Sequence, residues 1–178
     1  MGGGVLLELS HEIDYIQWLL GSMKVHYSQL RSSSELNLDV EEIADTVLVS
    51  SAGVVCNMHL DFLQKKIKRT CSFVGEKGRL DWDLFGNKIT KQTKLDKTVL
   101  FSEKDWDTNQ MYISVLKDFF NFIKGEKNTC VDLQQAFATV DLVQNIKNQA
   151  IQGVKQWNHM FLYLHVEGPK AFQVKILN

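Results

Sequence analysis

Residues 2–21 read GGGVLLELSHEIDYIQWLLG, and this stretch decides the fold expected for the rest of the chain. Its apolar side chains recur at the 3.6-residue spacing of an amphipathic helix, which predicts a helix from about Val5 to Leu20. Gly21 follows the last apolar residue and is suited to ending a helix. We expect the aliphatic face to pack against the core. That face consists of Val5, Leu6, Leu9, Ile13, Ile16 and Leu20.

The opposite face of this helix carries groups suited to chemistry. A helical wheel places Glu8, Asp14, Tyr15 and Trp18 within about 60° of His11. A carboxylate one turn from an imidazole can fix its tautomer and stabilise its protonated form. His11 and Asp14 are therefore a candidate acid/base pair, on a face expected to meet a pocket or another domain. The alternative is a surface helix with an incidental histidine.

A metal site is the other chemistry considered for this helix. His11 and Glu12 begin like the HExxH helix of zinc hydrolases, in which two histidines one turn apart hold the ion. Tyr15 occupies the position of the second histidine, so the motif fails and no metal is expected. The other histidines show no spacing that repairs it. They are His26, His59, His159 and His165.

The middle of the chain has the alternating pattern of strands. A strand is predicted from Lys24 to Leu30, and a hairpin turning at Gly53 is predicted from Asp45 to Leu63. About three more strands, joined by glycine turns, are expected between Thr70 and Lys91. These segments together predict a largely antiparallel sheet.

Two helices and a possible hairpin are predicted to follow the strands. An aromatic-rich stripe from about Thr108 predicts a helix that Gly125 ends and that packs on the sheet. A second helix is expected from an N-cap at Asp132 to Gly153, with Phe137, Val140, Val143, Ile146 and Ala150 forming core. Residues 160–177 alternate and are compatible with a hairpin.

Composition disfavours several classes of function. The chain has 178 residues, with 20 basic and 21 acidic side chains and a formal net charge of −1. Such a chain has no field that gathers nucleic acid or anionic lipid, so neither a nucleic-acid nor a membrane partner is expected. The start, MGGGVLLEL, has no basic region and its apolar stretch meets Glu8, so neither a signal peptide nor a membrane span is predicted.

Cysteine spacing indicates a reducing compartment. Cys56, Cys71 and Cys130 form an odd set without CxxC spacing, which argues against a disulfide framework or a zinc knuckle. We therefore expect a cytoplasmic location.

The densest basic run contains Lys65, Lys66, Lys68 and Arg69. Strand-like sequence flanks it, so a solvated turn or strand end is the ordinary interpretation. Contact with a substrate is the alternative, and it makes Lys65, Lys66 and Arg69 candidate binding residues.

Three stretches in this order resemble one enzyme family. GGGVLLELSHEIDYIQWLLG is similar to the helix that opens the C-terminal domain in the glucose-fructose oxidoreductase, inositol dehydrogenase and MocA (Gfo/Idh/MocA) family. Residues 39–64, DVEEIADTVLVSSAGVVCNMHLDFLQ, resemble that domain's paired strands, and residues 69–89, RTCSFVGEKGRLDWDLFGNKI, resemble its strand, glycine turn and strand. The resemblance covers residues 1–153 and leaves 154–178 as an extension of uncertain structure.

The resemblance implies roles for individual residues. In the family motif a histidine and a preceding acid lie beside the reacting hydroxyl, and a second acid follows the histidine by three residues. His11 and Asp14 match the histidine and the second acid, which implies acid/base chemistry at His11 with Asp14 orienting it. Glu8 stands three residues before His11 instead of four. Glu8 and Tyr15 are the further substrate-binding candidates.

The resemblance also implies a fold and a parent enzyme. The expected fold is α+β, an open and mostly antiparallel β-sheet covered on one face by helices. The parent enzyme would bind NAD or NADP in an N-terminal Rossmann half and oxidise a hydroxyl of a sugar, nucleotide-sugar or polyol. This chain has no GxGxxG after a strand and no Glu-Lys-Pro motif, so it is expected to hold no cofactor and to be inactive alone.

The alternative function is a non-catalytic assembly module. The family's broad sheet face would then make a homodimer or tetramer, since pairing of sheets buries a large area in one step. The two interpretations are compatible, because the resemblance implies that the same sheet joins subunits in active enzymes.

Overall fold

The computed structural model describes residues 3–33 and 36–152 and has an α+β fold. The extension at 154–178, with its predicted hairpin, lies outside the described residues. The elements in chain order are α1 Val5–Glu8, α2 Ser10–Leu20, β1 Met23–Arg31, β2 Ile43–Ser50, β3 Val55–Asp61, β4 Thr70–Gly75, β5 Gly78–Asp83, β6 Lys88–Gln92, β7 Lys97–Ser102, α3 Asn109–Lys124, α4 Leu133–Gln149 and β8 Ile151–Gln152.

The described strands form two open four-stranded sheets. Sheet A has the order β3-β2-β1-β8 and sheet B the order β4-β5-β6-β7. All neighbours are antiparallel except β1 and β8, which are parallel. The predicted class, an α+β fold with open and mostly antiparallel sheet, is confirmed. Strand β7 was not predicted from the sequence. Its six residues follow the strands predicted between Thr70 and Lys91.

The N-terminal helix is broken where a continuous helix was predicted. Leu9 leaves helical geometry at φ −106° and ψ 25°, so α1 and α2 are separate helices. Gly21 ends α2 as predicted, with its N–H donating to the carbonyl of Gln17. Gly4 adopts φ +84°, and a Cβ at that position would overlap the carboxylate of Glu41. The left-handed φ is the stronger reason for glycine at position 4, because the end of the Glu41 side chain can move aside but L side chains rarely adopt this backbone conformation.

The core lies between sheet A and helices α1, α2 and α4. Val5, Ile13 and Ile16 are buried from the predicted aliphatic face of the N-terminal segment. Burying an aliphatic side chain of this size stabilises a fold by roughly 1.5 to 3 kcal/mol, so this face fixes the helices on the sheet. The strands and α4 complete the cluster. They contribute Met23, Ala44, Leu48, Met58, Leu60, Leu142, Val143 and Ile146.

Helix α4 begins as predicted but ends early. The Asp132 carboxylate accepts from the N–H of Gln135, whose side chain accepts from the N–H of Asp132, which is a complete capping box. The helix ends at Gln149 instead of Gly153, because the chain turns at Ala150 into β8. The prediction that Phe137 and Val140 are core is wrong. They are 69% and 61% exposed, since they lie on the face of α4 turned away from sheet A.

Helix α3 is amphipathic as predicted, but the expected packing on the sheet is wrong. No residue of α3 is buried, and the six side chains of its apolar stripe are between 47% and 63% exposed. Within residues 3–33 and 36–152, neither sheet covers this stripe. The stripe consists of Met111, Val115, Leu116, Phe119, Phe120 and Ile123. Periodicity identifies an apolar face, but it does not identify what covers that face.

A charged network crosses the face of sheet A away from the helices. His59 Nδ1 lies 2.6 Å from Asp45 Oδ1, and its Nε2 lies 2.9 Å from Asp61 Oδ2. Arg31 forms an ion pair with the other oxygen of Asp45. The hydrogen bond to Asp45 raises the pKa of His59, against the opposing effect of burial. The network therefore joins three strands, and its carboxylates favour the protonated form of the imidazole.

Stability should depend on the protonation of His59. Its folded pKa is raised above the ordinary value of about 6.5, so its contribution is complete below that pH and is lost as the pH rises through the folded pKa. We expect the free energy of unfolding to fall as the pH rises above about 6.5 in wild type, and to change much less over the same range in His59→Gln. Urea unfolding measures this, with exposed His26→Gln as control. An equal decline in His59→Gln would contradict the assignment.

Candidate functional site

The polar face of α2 meets the beginning of sheet B at a buried carboxylate. Glu12 is buried, and its Oε1 lies 2.5 Å from Nε of Arg69, the residue before β4. Nε has no hydrogen-bond partner by geometry among the described residues, so this contact is an attraction of charges instead of a directed hydrogen bond. A buried carboxylate is costly without a counter-charge, so the pair fixes α2 against sheet B.

His11 shares the same carboxylate oxygen. Its Nε2 lies 3.2 Å from Glu12 Oε1, and its side chain is 51% exposed. The carboxylate of Glu12 thus holds one ring nitrogen of His11, and the rest of the imidazole is open to solvent. A group placed in this way can exchange a proton with a bound molecule.

Tyr15 closes the site on the side of sheet B. Its ring lies edge-on to Trp82 of β5, with centroids 5.5 Å apart at 70°. Burial first, and then the charge of Glu12, raise the pKa of Tyr15 above its ordinary value. Burial likewise raises the pKa of the Cys71 thiol, which is hydrogen-bonded to Tyr15. Both groups stay protonated near neutral pH, so Tyr15 can act as a hydrogen-bond donor.

Asp14 contacts α4 instead of the imidazole. Its Oδ1 accepts a 2.9 Å hydrogen bond from Oγ1 of Thr139, which in turn accepts one from Nε2 of Gln17 at 3.2 Å. Thr139 is buried between α2 and α4. Asp14 therefore helps to hold the two helices together, and the carboxylate described beside His11 is that of Glu12. The orienting role of Asp14 stays a prediction.

The structure places some of the predicted site residues around Glu12 and others elsewhere. The structure brings His11, Tyr15 and Arg69 together around Glu12. Glu8 is exposed at the end of α1, and Lys65 and Lys66 are exposed in the connection from β3 to β4. Trp18, predicted on the same face as His11, is 78% exposed.

Four residues of the site were not predicted from the sequence. Glu12 lies at the border between the two faces of α2, where the helical wheel assigns it to neither. Cys71 and Trp82 come from sheet B, and Thr139 comes from α4. No local spacing links these positions to His11, so only the tertiary structure shows them together. In residues 3–33 and 36–152 no group of three or more His, Cys, Asp or Glu could hold a metal ion.

Comparison with known families identifies the domain. A family model described as the C-terminal alpha/beta domain of the Gfo/Idh/MocA oxidoreductases matches residues 1–157. The chain belongs to the Gfo/Idh/MocA oxidoreductase family. This confirms the resemblance stated above. No curated protein sequence matches the chain.

Solved structures share the fold of this Gfo/Idh/MocA domain. A 3-ketoreductase from Actinomadura kijaniata, KijD10, solved with TDP-benzene and NADP, has TM-score 0.67 and 18% identity over 85% of this chain and 49% of its own. The WlbA dehydrogenase from Bordetella pertussis, solved with NADH and UDP-GlcNAcA, has TM-score 0.65 and 18% identity over 83% and 44%. A biliverdin reductase from Synechocystis, solved with biliverdin and NADP+, has TM-score 0.67 and 14% identity over 82% and 46%.

These identities establish a common fold and no more. The chain spans less than half the length of each of the three relatives. The activities of those whole enzymes are therefore not shown for this chain. No helix of the described residues is both long and apolar enough to cross a membrane.

The Glu12–Arg69 pair should be energetically coupled. Arg69→Ala leaves the buried carboxylate without its counter-charge and should destabilise the fold by roughly 1 to 3 kcal/mol, whereas Glu12→Gln should cost less because it removes the charge. The double variant should cost less than the sum of the two single variants. Chemical unfolding measures all three, with Lys68→Ala as the matched control. Strictly additive effects would show that the pair does not form.

Proposed function

We propose that this chain is the substrate-binding part of an NAD(P)-dependent oxidoreductase that acts on a hydroxyl of a sugar-like small molecule. The observation that carries the proposal is the half-exposed His11 imidazole, held beside the buried charge of Glu12 on the helix that opens the family domain. Two relatives were solved with TDP- and UDP-linked ligands, which supports a sugar or nucleotide-sugar substrate.

His11 would serve as the acid/base group. Its Nε2 lies against Glu12, so the tautomer protonated at Nε2 donates to that carboxylate and leaves Nδ1 to accept the hydroxyl proton of a substrate. Arg69 offsets the charge of Glu12, and the protonated phenol of Tyr15 is engaged with Glu12 and Cys71, so it helps to hold that carboxylate beside His11. We keep Asp14 as a positioning residue, acting through the packing of α2 on α4.

The described residues do not fit a dinucleotide. Phosphates of such cofactors sit on glycine-rich turns between a strand and a helix. The strand-to-helix connection here, residues 103–108 between β7 and α3, reads EKDWDT, without glycine and with three acidic side chains. We therefore propose that NAD or NADP is bound by a separate domain and that this chain alone transfers no hydride.

Exposed apolar surface supports the proposal that another domain packs against this chain. The stripe of α3 and the outer face of α4, including Phe137, are exposed, and so is Trp18 on α2. Soluble proteins rarely leave contiguous apolar surface of this kind uncovered unless it is an interaction site. We propose that a dinucleotide-binding domain covers part of it. We also propose a cytoplasmic location, which the free thiols of Cys56, Cys71 and Cys130 support.

A second candidate function is assembly through the sheets. The edge strand β7 exposes Val99, Leu100 and Phe101 in succession. All six residues of β7 are exposed, so neither face of sheet B is covered at this edge. A second copy of the chain would bury these side chains, which is consistent with a homodimer or tetramer.

Ligand binding at His11 tests the proposed function. We expect the imidazole signals of His11, observed by NMR in the full chain, to shift saturably with at least one member of a panel of hexoses, inositols and nucleotide-sugars. The dissociation constant should be about millimolar, because the chain supplies only half of the site. The signals of exposed His26 should not move. The same sample should show no turnover with NAD(H) or NADP(H). A folded chain whose His11 responds to none of these compounds would refute the proposal.

The assembly function predicts a dimer or larger species that depends on the sheet edge. Leu100→Ser with Phe101→Ser should lower the mass measured by light scattering toward that of a monomer, because the variants remove apolar contact area. Leu95→Ser, at a 94% exposed position in the turn before β7, is the control. A wild-type chain that is monomeric at high concentration would remove the assembly function.

A further inference from the structure

The connection between β3 and β4 is a basic segment with both ends fixed. Asp61, at the end of β3, accepts hydrogen bonds from the N–H groups of Leu63 and Gln64 at 2.8 and 3.0 Å and from Nε2 of Gln64 at 3.0 Å. At the other end, Arg69 is paired with Glu12. The contacts of Asp61 and Arg69 therefore restrict the positions that residues 65–68 can take.

This segment concentrates positive charge in a chain whose total charge is close to zero. Lys65, Lys66, Lys68 and Arg69 fall within five consecutive residues, while the whole chain has a net charge of −1. Glu12 offsets Arg69, and Lys65 also has a contact within the structure. Among the described residues no ion pair engages Lys66 or Lys68, and both side chains are exposed. Two cations are thus available to an anionic ligand.

The segment lies beside the proposed acid/base group. Arg69 and His11 contact the same oxygen of Glu12. A residue advances the chain by at most about 3.6 Å, so the Cα atoms of Lys68 and Lys66 lie within about 4 and 11 Å of that of Arg69. A ligand with a sugar hydroxyl at His11 can therefore carry its phosphates within reach of these lysines.

We propose that Lys66 and Lys68 bind the phosphate groups of the substrate, which makes the substrate a nucleoside-diphosphate sugar rather than a free sugar or polyol. The inference rests on the proposed function. Lysine binds phosphate as a point charge, and Lys66 and Lys68 supply two such charges to a diphosphate. The ion pair with Glu12 holds Arg69 in place, so the role of Arg69 is to position the lysines. The diphosphate of a dinucleotide presents the same chemistry, and the test separates the two.

The test is calorimetric titration of the full chain with a UDP-hexose, UDP, inorganic diphosphate, the free hexose and NADP. We expect the UDP-hexose and UDP to bind at least about tenfold more tightly than the free hexose. Lys66→Ala with Lys68→Ala should weaken UDP-hexose binding by about tenfold, and raising the salt concentration should weaken it as well. The matched control is Lys91→Ala with Lys94→Ala, two exposed lysines in β6 and in the turn that follows it.

Three results would overturn the inference. They are equal binding of hexose and UDP-hexose, equal effects of the two double variants, and binding of NADP or inorganic diphosphate as tight as that of the UDP-hexose. Failure of the inference is distinguishable from failure of the proposed function. If only the inference fails, at least one compound of the panel still shifts the His11 signals, whereas if the proposed function fails no compound does.

Discussion

The ion pair between Glu12 and Arg69 is the constraint on which the rest of the site depends. Glu12 is buried at the border of the aliphatic face of α2, where a charged carboxylate requires a counter-charge. Arg69 directly precedes β4, so satisfying Glu12 brings sheet B onto the helix. That contact seats Trp82 against Tyr15 and leaves His11 at an open edge. The proposed acid/base role of His11 and the proposed phosphate binding both depend on this arrangement.

The three sides of α2 are held by different forces. Apolar burial of Ile13 and Ile16 fixes it on sheet A, and the hydrogen bond from Thr139 to Asp14 fixes it on α4. Charge attraction fixes it on sheet B. A helix held on three sides keeps its polar side chains in place before a ligand binds, which is the requirement for a site assembled from several elements.

Local patterns predicted the local features of this chain. The aliphatic face of the N-terminal helix, the hairpin at Gly53 and the N-cap at Asp132 each follow from a few neighbouring residues, and all three are present. The break at Leu9 was missed because both halves share one apolar face. Glu12 was missed because its partner comes from a distant strand, a contact that periodicity does not record. The stripe of α3 was recognised, but its covering partner is not among the described residues.

The contact between Tyr15 and Trp82 gives the most direct test of this account, because the rings meet only if sheet B is docked on α2. The measurement is the nuclear Overhauser effect between their ring protons in the folded wild-type chain and in Arg69→Ala. The account predicts clear cross-peaks in wild type, since the centroids are 5.5 Å apart, and weaker or absent ones in the variant. Assigned rings without cross-peaks in wild type, or with unchanged cross-peaks in Arg69→Ala, would contradict it.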